Sequence, residues 1–410
     1  MPLLPALPDL VPRVRCGVPE YPLHHLRGGT STGLVLHAAS VPAEPPLRDE
    51  LLQHLMGVPL DGEAPLPGNR QVTGLGRGTP TSNKVFLVDV EQHEGQARLV
   101  STLAQLAGGH GLIDWSVNCG NMSSALQLWG LDTGVIEAPA IGLHEIAIRN
   151  TNTGVVTTSR MERRTDGSFA DTAIPGVRGS YPQVDLFLQQ PVGAKTGRLL
   201  PTGAARNRIG RYTVSCVDVA VPMVIALASE LGKTAHEPIA ELEADTAFMQ
   251  AIRELWSEAG LLMGLRRRDG QPMTREELER SETIPKFCIV GAATGAGNIA
   301  VRYFTPQAAH ASLAVSGGCC LAAACLIPDT VAHQLARGVP AIGTQPADIA
   351  VGIENPAGVL DTTIVARQSD AGIEISSAAY RRSAQILLRG HMPLYRASAE
   401  LKAWLLRQAW

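Results

Sequence analysis

Glycine and proline interrupt this chain so often that no long uninterrupted element can dominate it. Its 410 residues hold 41 glycines and 28 prolines, and aromatic residues make up only 4%. That balance points to many short elements joined by tight turns, as in β-rich barrels, rather than to a helical bundle. A chain of this length forms two domains or one large one, with ample core. Hydrophobic residues at 45% and charged residues at 18% describe an ordinary globular protein. The net charge of −3 comes with no basic stripe interleaved with aromatics, so nothing suggests nucleic acid.

Seven cysteines is an odd count, and none of their spacings resembles a disulfide framework or a zinc site. Cys319-Cys320 is a vicinal pair followed by Cys325, without a C-x-x-C or H-x-x-x-H element. A reducing compartment is therefore expected, and no metal. Residues 1–14 are rich in Pro and Leu but lack a basic segment ahead of the apolar residues, so they do not read as a signal peptide. Residues 313–328 are too few and too rich in Gly to span a bilayer. The expectation is a cytoplasmic enzyme with no membrane partner.

Residues 114–126 place a thiol where a loop turns into an apolar helix. Asn118 is the expected N-cap, Gly120 allows close approach to the backbone, and residues 122–129 read as one buried helix. The unpaired N–H groups of such a helix start favour an anion, either a Cys119 thiolate or a substrate carboxylate. A lone cysteine is commonly just a small buried apolar residue. Cys119, however, sits among Asn118, Gly120, Asn121 and Ser123, and this amide- and hydroxyl-rich setting suits a small polycarboxylate.

Residues 1–16 read as a loose or surface-bound arm. Residues 23–36 read as strand, glycine turn, strand, with Arg27-Gly28-Gly29-Thr30-Ser31 at the turn. Its amides could form an anion nest, and Arg27 adds a fork-shaped donor for a carboxylate; a plain hairpin turn explains the same residues. The spacing is neither that of a P-loop nor that of a dinucleotide fingerprint. Residues 47–56 form a short helix with Leu51, Leu52 and Leu55 on its apolar face. A flexible glycine and hydroxyl loop over 74–83, including Ser82, then runs into a strand whose first residue is Lys84. Most lysines are solvated. One at the mouth of a buried strand can be desolvated, its pKa lowered, and its neutral amine used as a base.

Later segments carry less chemistry. Residues 212–228 read as a strand followed by a helix start, with Cys216 and Asp218 structural. Residues 238–264 form an amphipathic helical region, and Arg266-Arg267-Arg268 a solvated loop. Lys286 follows Pro285 at the entrance to an apolar strand and could be a second carboxylate ligand. His310, upstream of a second glycine-to-helix junction at 315–324, could contact substrate or be an ordinary hydrogen-bonded histidine. Residues 373–375 and 385–388 are short strand candidates, and Tyr380-Arg381-Arg382 leads the chain back to the first domain. Residues 397–410 form an amphipathic helix whose Leu401, Trp404 and Leu405 could dock on the body or on another subunit, so a homodimer stays open.

Taken in order, Arg27-Gly28-Gly29-Thr30-Ser31, Thr81-Ser82-Asn83-Lys84-Val85 and Asn118-Cys119-Gly120-Asn121-Met122 resemble the PrpF-like isomerase family. Residues 193–203, Pro285-Lys286, Arg302-Tyr303-Phe304, His310 and Glu354-Asn355-Pro356-Ala357-Gly358 continue the resemblance, which spans about 23–393. It implies an α+β fold of the diaminopimelate epimerase type: two similar domains, each a β-barrel-like sheet around a central helix, with the active site in the cleft between them. The expected division is 1–190 together with 378–410, and 191–377.

In the two-thiol epimerases of that superfamily both helix junctions carry a cysteine. Aligning Val315-Ser316-Gly317-Gly318 with the second junction places Ala314 where the second thiol would be, so Lys84 becomes the partner of Cys119. The resemblance implies a cofactor-independent isomerase moving a carbon–carbon double bond in an unsaturated di- or tricarboxylate. Residues 193–203, 242–245 and 259–264 look closer to 4-oxalomesaconate tautomerases than to 2-methylaconitate isomerases. Arg77-Gly78-Thr79-Pro80 and Val221-Pro222-Met223 depart from the family pattern and leave the substrate open.

Lys84 and Cys119 would exchange the protons, in either direction. Gly120, Asn121, Ser316 and Gly317, with Arg27, Thr30 and Ser31, would stabilise the dienolate oxygens. Two other classes fit less well. An amino-acid racemase would need Cys319 or Cys320 to face Cys119 in another register, and a non-catalytic carboxylate-binding protein would exchange no protons.

Overall fold

The computed structural model describes residues 10–78, 82–137, 140–267, 269–281, 283–305, 307–370 and 372–408. Most of the arm at 1–16, with Thr79, Pro80 and Thr81 of the glycine and hydroxyl loop, Arg268, and the last two residues of the tail, lies outside them. The chain divides into two compact units. Unit 1 is Met1–Ala173, Val177–Leu186 and Arg382–Trp410, and unit 2 is Ile174–Gly176 and Phe187–Arg381.

The two units share one order of strand pairings. In unit 1, Val18–Gly28 pairs antiparallel with Ser31–His37, which runs parallel to Lys84–His93; that strand is antiparallel to Gln96–Leu106, which is parallel to Gly142–Asn150, itself antiparallel to Val156–Arg163. In unit 2, Tyr212–Val219, Val221–Leu227, Lys286–Gly291, Ile299–Thr305, Ala347–Asn355 and Gly358–Ser369 repeat the alternation. A parallel pair cannot be closed by a tight turn and needs a long crossover. Each unit meets this need twice with helices. In unit 1 they are Pro45–Met56, then Gly120–Ser123 with Leu126–Thr133. In unit 2 they are Ile239–Ala244, Thr246–Leu262 and Arg275–Arg280, then Val315–Leu326 with Val331–Leu335.

The second crossover of each unit contains a largely buried apolar helix. Ten of the twelve residues of Val315–Leu326 are buried, as are Leu126, Gln127, Leu128, Trp129 and Gly130. A helix apolar on every side has to be enclosed. The first crossovers are amphipathic and cover outer sheet faces. Leu51 and Leu55 of Pro45–Met56 join Tyr21, Leu34 and Val85 in one core, and Leu401 and Leu405 of the C-terminal helix Ala399–Gln408 complete it. That helix therefore docks on unit 1, its start fixed by Ser398, whose amide and hydroxyl both donate to the Glu50 carboxylate. In unit 2, Phe248, Ile252, Leu255, Trp256 and Ala259 form the buried stripe of Thr246–Leu262.

Four expectations on local structure change. Residues 122–129 are not one helix: Ser123 Oγ donates to the Cys119 carbonyl and Ser124 Oγ to that of Asn121, and the chain tightens through Ser124-Ala125 before the helix resumes. Residues 212–228 form a β-hairpin turning at Ala220 (φ 62°), because the apolar run 221–227 is a doubly buried strand rather than a helix start. The short strands at 373–375 and 385–388 are parts of one 22-residue strand, Gly372–Pro393. Within the loose arm, Arg13–Arg15 pairs with Val18–Gly28.

Candidate active site

In unit 1 the glycine turn is packed against the start of the cysteine-bearing helix. A Cβ added at Gly28 would lie 2.5 Å from the Asn121 carbonyl oxygen and 2.8 Å from Met122 Cα, so only glycine permits this approach. Asn121 ties the contact together: its Nδ2 donates to Thr30 Oγ1 (3.2 Å), and its Oδ1 accepts from Arg382 Nε (3.0 Å). Arg382 is a buried guanidinium on the helix start, and nothing in the sequence distinguishes it from its neighbour Arg381. Ser31 is buried opposite Gly28, and Thr30 is exposed at the tip.

Arg27 lies under the turn. Its Nη1 donates to the carbonyls of Gly29 (2.8 Å) and Ser383 (3.0 Å) and to Ser383 Oγ (3.2 Å), and its guanidinium stacks 4.6 Å from the Tyr181 ring centroid. Nη2 is buried with no hydrogen-bond partner among the described residues. Burial holds the group below the usual arginine range, with Tyr181 opposing the shift.

Cys119, not Asn118, is the N-cap residue of Gly120–Ser123. The exposed Asn118 acts one position earlier, its Oδ1 accepting from the Cys119 amide at 2.7 Å. No side chain caps the helix, which leaves the Gly120 and Asn121 amides for another acceptor. Cys119 is half-buried, and Met122 beneath it is wholly buried.

Lys84 is the first residue of Lys84–His93, paired with Gln105 and only 6% exposed. Its neighbour across the sheet is Gly33, where an added Cβ would meet both the Lys84 carbonyl (2.7 Å) and Met122 Cε (3.2 Å). Lys84 and the cysteine helix therefore meet over one glycine. Desolvation lowers the Lys84 amine below the ordinary lysine value, and the charge of Cys119 pulls it partly back. Ser82 and Asn83 are buried just ahead of it.

The other proposed residues belong to unit 2. Lys286 is half-buried at the first position of Lys286–Gly291, and its amine is lowered by burial. His310 accepts a hydrogen bond from the Ser312 amide at Nδ1 (3.0 Å) and packs edge-on against Tyr303, 5.9 Å between centroids. Burial lowers its pKa; the Ser312 bond opposes this and the Lys286 charge adds to it. Ala314 is the N-cap of Val315–Leu326, with Ser316 half-buried in the first turn. Gly317 is needed because a Cβ there would reach 2.3 Å from the Tyr303 ring. Cys319 and Cys320 are wholly buried inside the helix, and Cys320 Sγ faces the Val217 carbonyl at 3.5 Å, so neither presents a thiol at the helix start.

The arrangement in unit 1 can move protons. A desolvated amine, a half-buried thiol whose charge acts on it and uncapped amide donors share one small region. Among the described residues, no His, Cys, Asp and Glu groups cluster as a metal site, and no helix is long and apolar enough to cross a membrane.

Comparison with known proteins adds independent findings. A family model described as "PrpF protein" matches residues 20–395. The chain is 32% identical to the putative isomerase YbhH of Escherichia coli K12 over 357 residues, which is 86% of this chain and 93% of that protein. It is 31% identical to the 4-oxalomesaconate tautomerase of Pseudomonas putida over 323 residues, 78% of this chain and 83% of that one. A crystal structure of methylitaconate-delta-isomerase superposes with a TM-score of 0.76 at 25% identity, covering 95% of this chain and 98% of the other.

Proposed function

The chain belongs to the PrpF protein family, and from that premise we propose that it is an isomerase shifting a C=C bond by 1,3-proton transfer in an unsaturated di- or tricarboxylate such as 4-oxalomesaconate. The observation that carries this reading is the buried Lys84 amine, lowered by desolvation and within reach of the charge of Cys119, which stands at a helix start that no side chain caps. The relatives named as a 4-oxalomesaconate tautomerase and a methylitaconate isomerase support the substrate class.

In the proposed reaction the neutral Lys84 amine takes a proton from the carbon next to a carboxylate or keto group. The C–H electron pair enters an extended dienolate, and the amine becomes an ammonium. The Cys119 thiol then protonates the far allylic carbon, and the double bond settles in its new place. The resulting ammonium passes its proton to the thiolate, restoring both groups. Negative charge grows on substrate oxygens during the first step, and fixed N–H donors such as those of Gly120 and Asn121 stabilise such charge more strongly than water does.

Ala314 at the second helix junction argues against a two-thiol racemase. Incubating the protein in D2O with oxalomesaconate, methylaconitate, methylitaconate and a set of amino acids, followed by proton NMR, tests the reading. Deuterium entering an unsaturated acid together with double-bond migration supports it. Exchange at the α-carbon of an amino acid, or no exchange in any compound, refutes it.

A further inference from the structure

The glycine-rich loop ahead of Lys84 looks flexible in sequence, yet its described part is wrapped around buried amides. Gln71 (1% exposed) adopts φ 55° and donates from Nε2 to the Met56 carbonyl at 2.8 Å. Its Oε1 accepts from the Gly78 amide (2.5 Å) and from Asn83 Nδ2 (3.0 Å). Asn83, wholly buried, completes the exchange: its Oδ1 accepts from the Arg77 amide (3.1 Å), and its carbonyl accepts from the Leu106 amide (3.0 Å) and Gln105 Nε2 (2.9 Å). Asn69 extends the ladder, accepting from the Gln71 amide and donating to the carbonyls of Gly57 and Gly108. Gly76 is fixed by this packing, since an added Cβ would lie 1.9 Å from Gln71 Nε2.

We propose that the Gln71–Asn83 amide pair is a positioning device for Lys84, pinning the backbone at the strand entrance from which the amine emerges. Two features support this. Asn83 directly precedes Lys84, and its side chain and carbonyl are both engaged, so the backbone from which the amine emerges is pinned. The pair binds through neutral amides on both sides, although a carboxylate of the same shape could accept from the Gly78 or Arg77 amide. A charge placed on the residue next to Lys84 would favour its ammonium form, as would loss of the pin, which would let the amine reach solvent. The inference rests on the reading of Lys84 as the base, but its test does not need turnover.

The test is competitive acetylation of the whole protein with acetic anhydride across pH. Lys84 reactivity is read by mass spectrometry in wild type, Asn83→Asp and Gln71→Met, with Lys233 as internal reference and circular dichroism as the check on folding. The Lys84 midpoint should rise by about one pH unit in Asn83→Asp, through the added charge, and also in Gln71→Met, through entry of solvent, while Lys233 stays unmoved. The same variants should lose about tenfold in deuterium exchange with KM within about twofold. Folded variants with the wild-type Lys84 midpoint and exchange rate would overturn the proposal, even if wild type is an active isomerase. A shifted midpoint in a protein that exchanges no carboxylate would keep the positioning role and remove the isomerase reading instead.

Discussion

Cys119 and Ala314 occupy the same place in the two halves of this chain: each is the N-cap residue of the first helix in the second crossover of its unit. Lys84 and Lys286 correspond in the same way, as first residues of the strands that follow the first crossovers. The duplicated framework thus keeps an amine in both halves and a thiol at the helix start in one. The chemistry proposed above follows from that asymmetry.

Cys119→Ser should fold as wild type and lose about 10²- to 10⁴-fold in exchange, the usual weight of a positioned general acid or base. Steady-state rates with circular dichroism as control measure this. A loss below tenfold would remove Cys119 from proton transfer.

Gly28→Ala tests the contact between turn and helix. The new methyl group has no room against Asn121 and Met122, so the helix start must move. A stability loss of about 1–3 kcal/mol is expected in urea titration, with a larger proportional loss of activity. Unchanged stability would show that the two segments separate freely.

Asp218 illustrates a buried carboxyl group with a structural task. Its Oδ2 accepts from the Lys195 amide (2.9 Å), the Thr196 amide (2.8 Å) and Thr196 Oγ1 (2.8 Å). Asp218→Ala should cost about 3 kcal/mol, because donors of the 193–203 loop lose their acceptor. Denaturant midpoints read the effect.

His25 makes stability depend on pH. Burial and the nearby Arg77 charge push its pKa down to about 4 from 6.5. Between those values the unfolded chain binds more protons than the folded one, so stability falls as pH drops from 6.5 towards 4. The contribution is at most about 3 kcal/mol, reduced by whatever solvent reaches the ring. His25→Gln should flatten this part of the stability profile; an unchanged profile would place the titration elsewhere.

Much of the fold was legible in the sequence because its signals were local. The turn beginning at Arg27, the strand opening at Lys84, the helix expected at 47–56 and found at Pro45–Met56, and the amphipathic tail all follow from spacing and turn residues. Placing Ala314 at the second helix junction came from motif alignment, and the helix does begin there. The hairpin at 212–227 was not legible, because a continuous apolar run has the same appearance in a buried strand and in a buried helix. Nor were Arg382 and the Gln71–Asn83 pair, whose significance comes from partners brought close only by folding. The glycines of the 74–78 loop misled in a related way: Gly76 serves close packing, although composition alone suggests freedom.

The central claim is that Lys84 is the base. It is tested most directly by comparing wild type with Lys84→Met in D2O, with oxalomesaconate and methylaconitate present and proton NMR as the readout. The account predicts deuterium incorporation and double-bond migration in wild type, and loss of both by at least about a hundredfold in a variant with unchanged circular dichroism. Incorporation at the wild-type rate in Lys84→Met would contradict it.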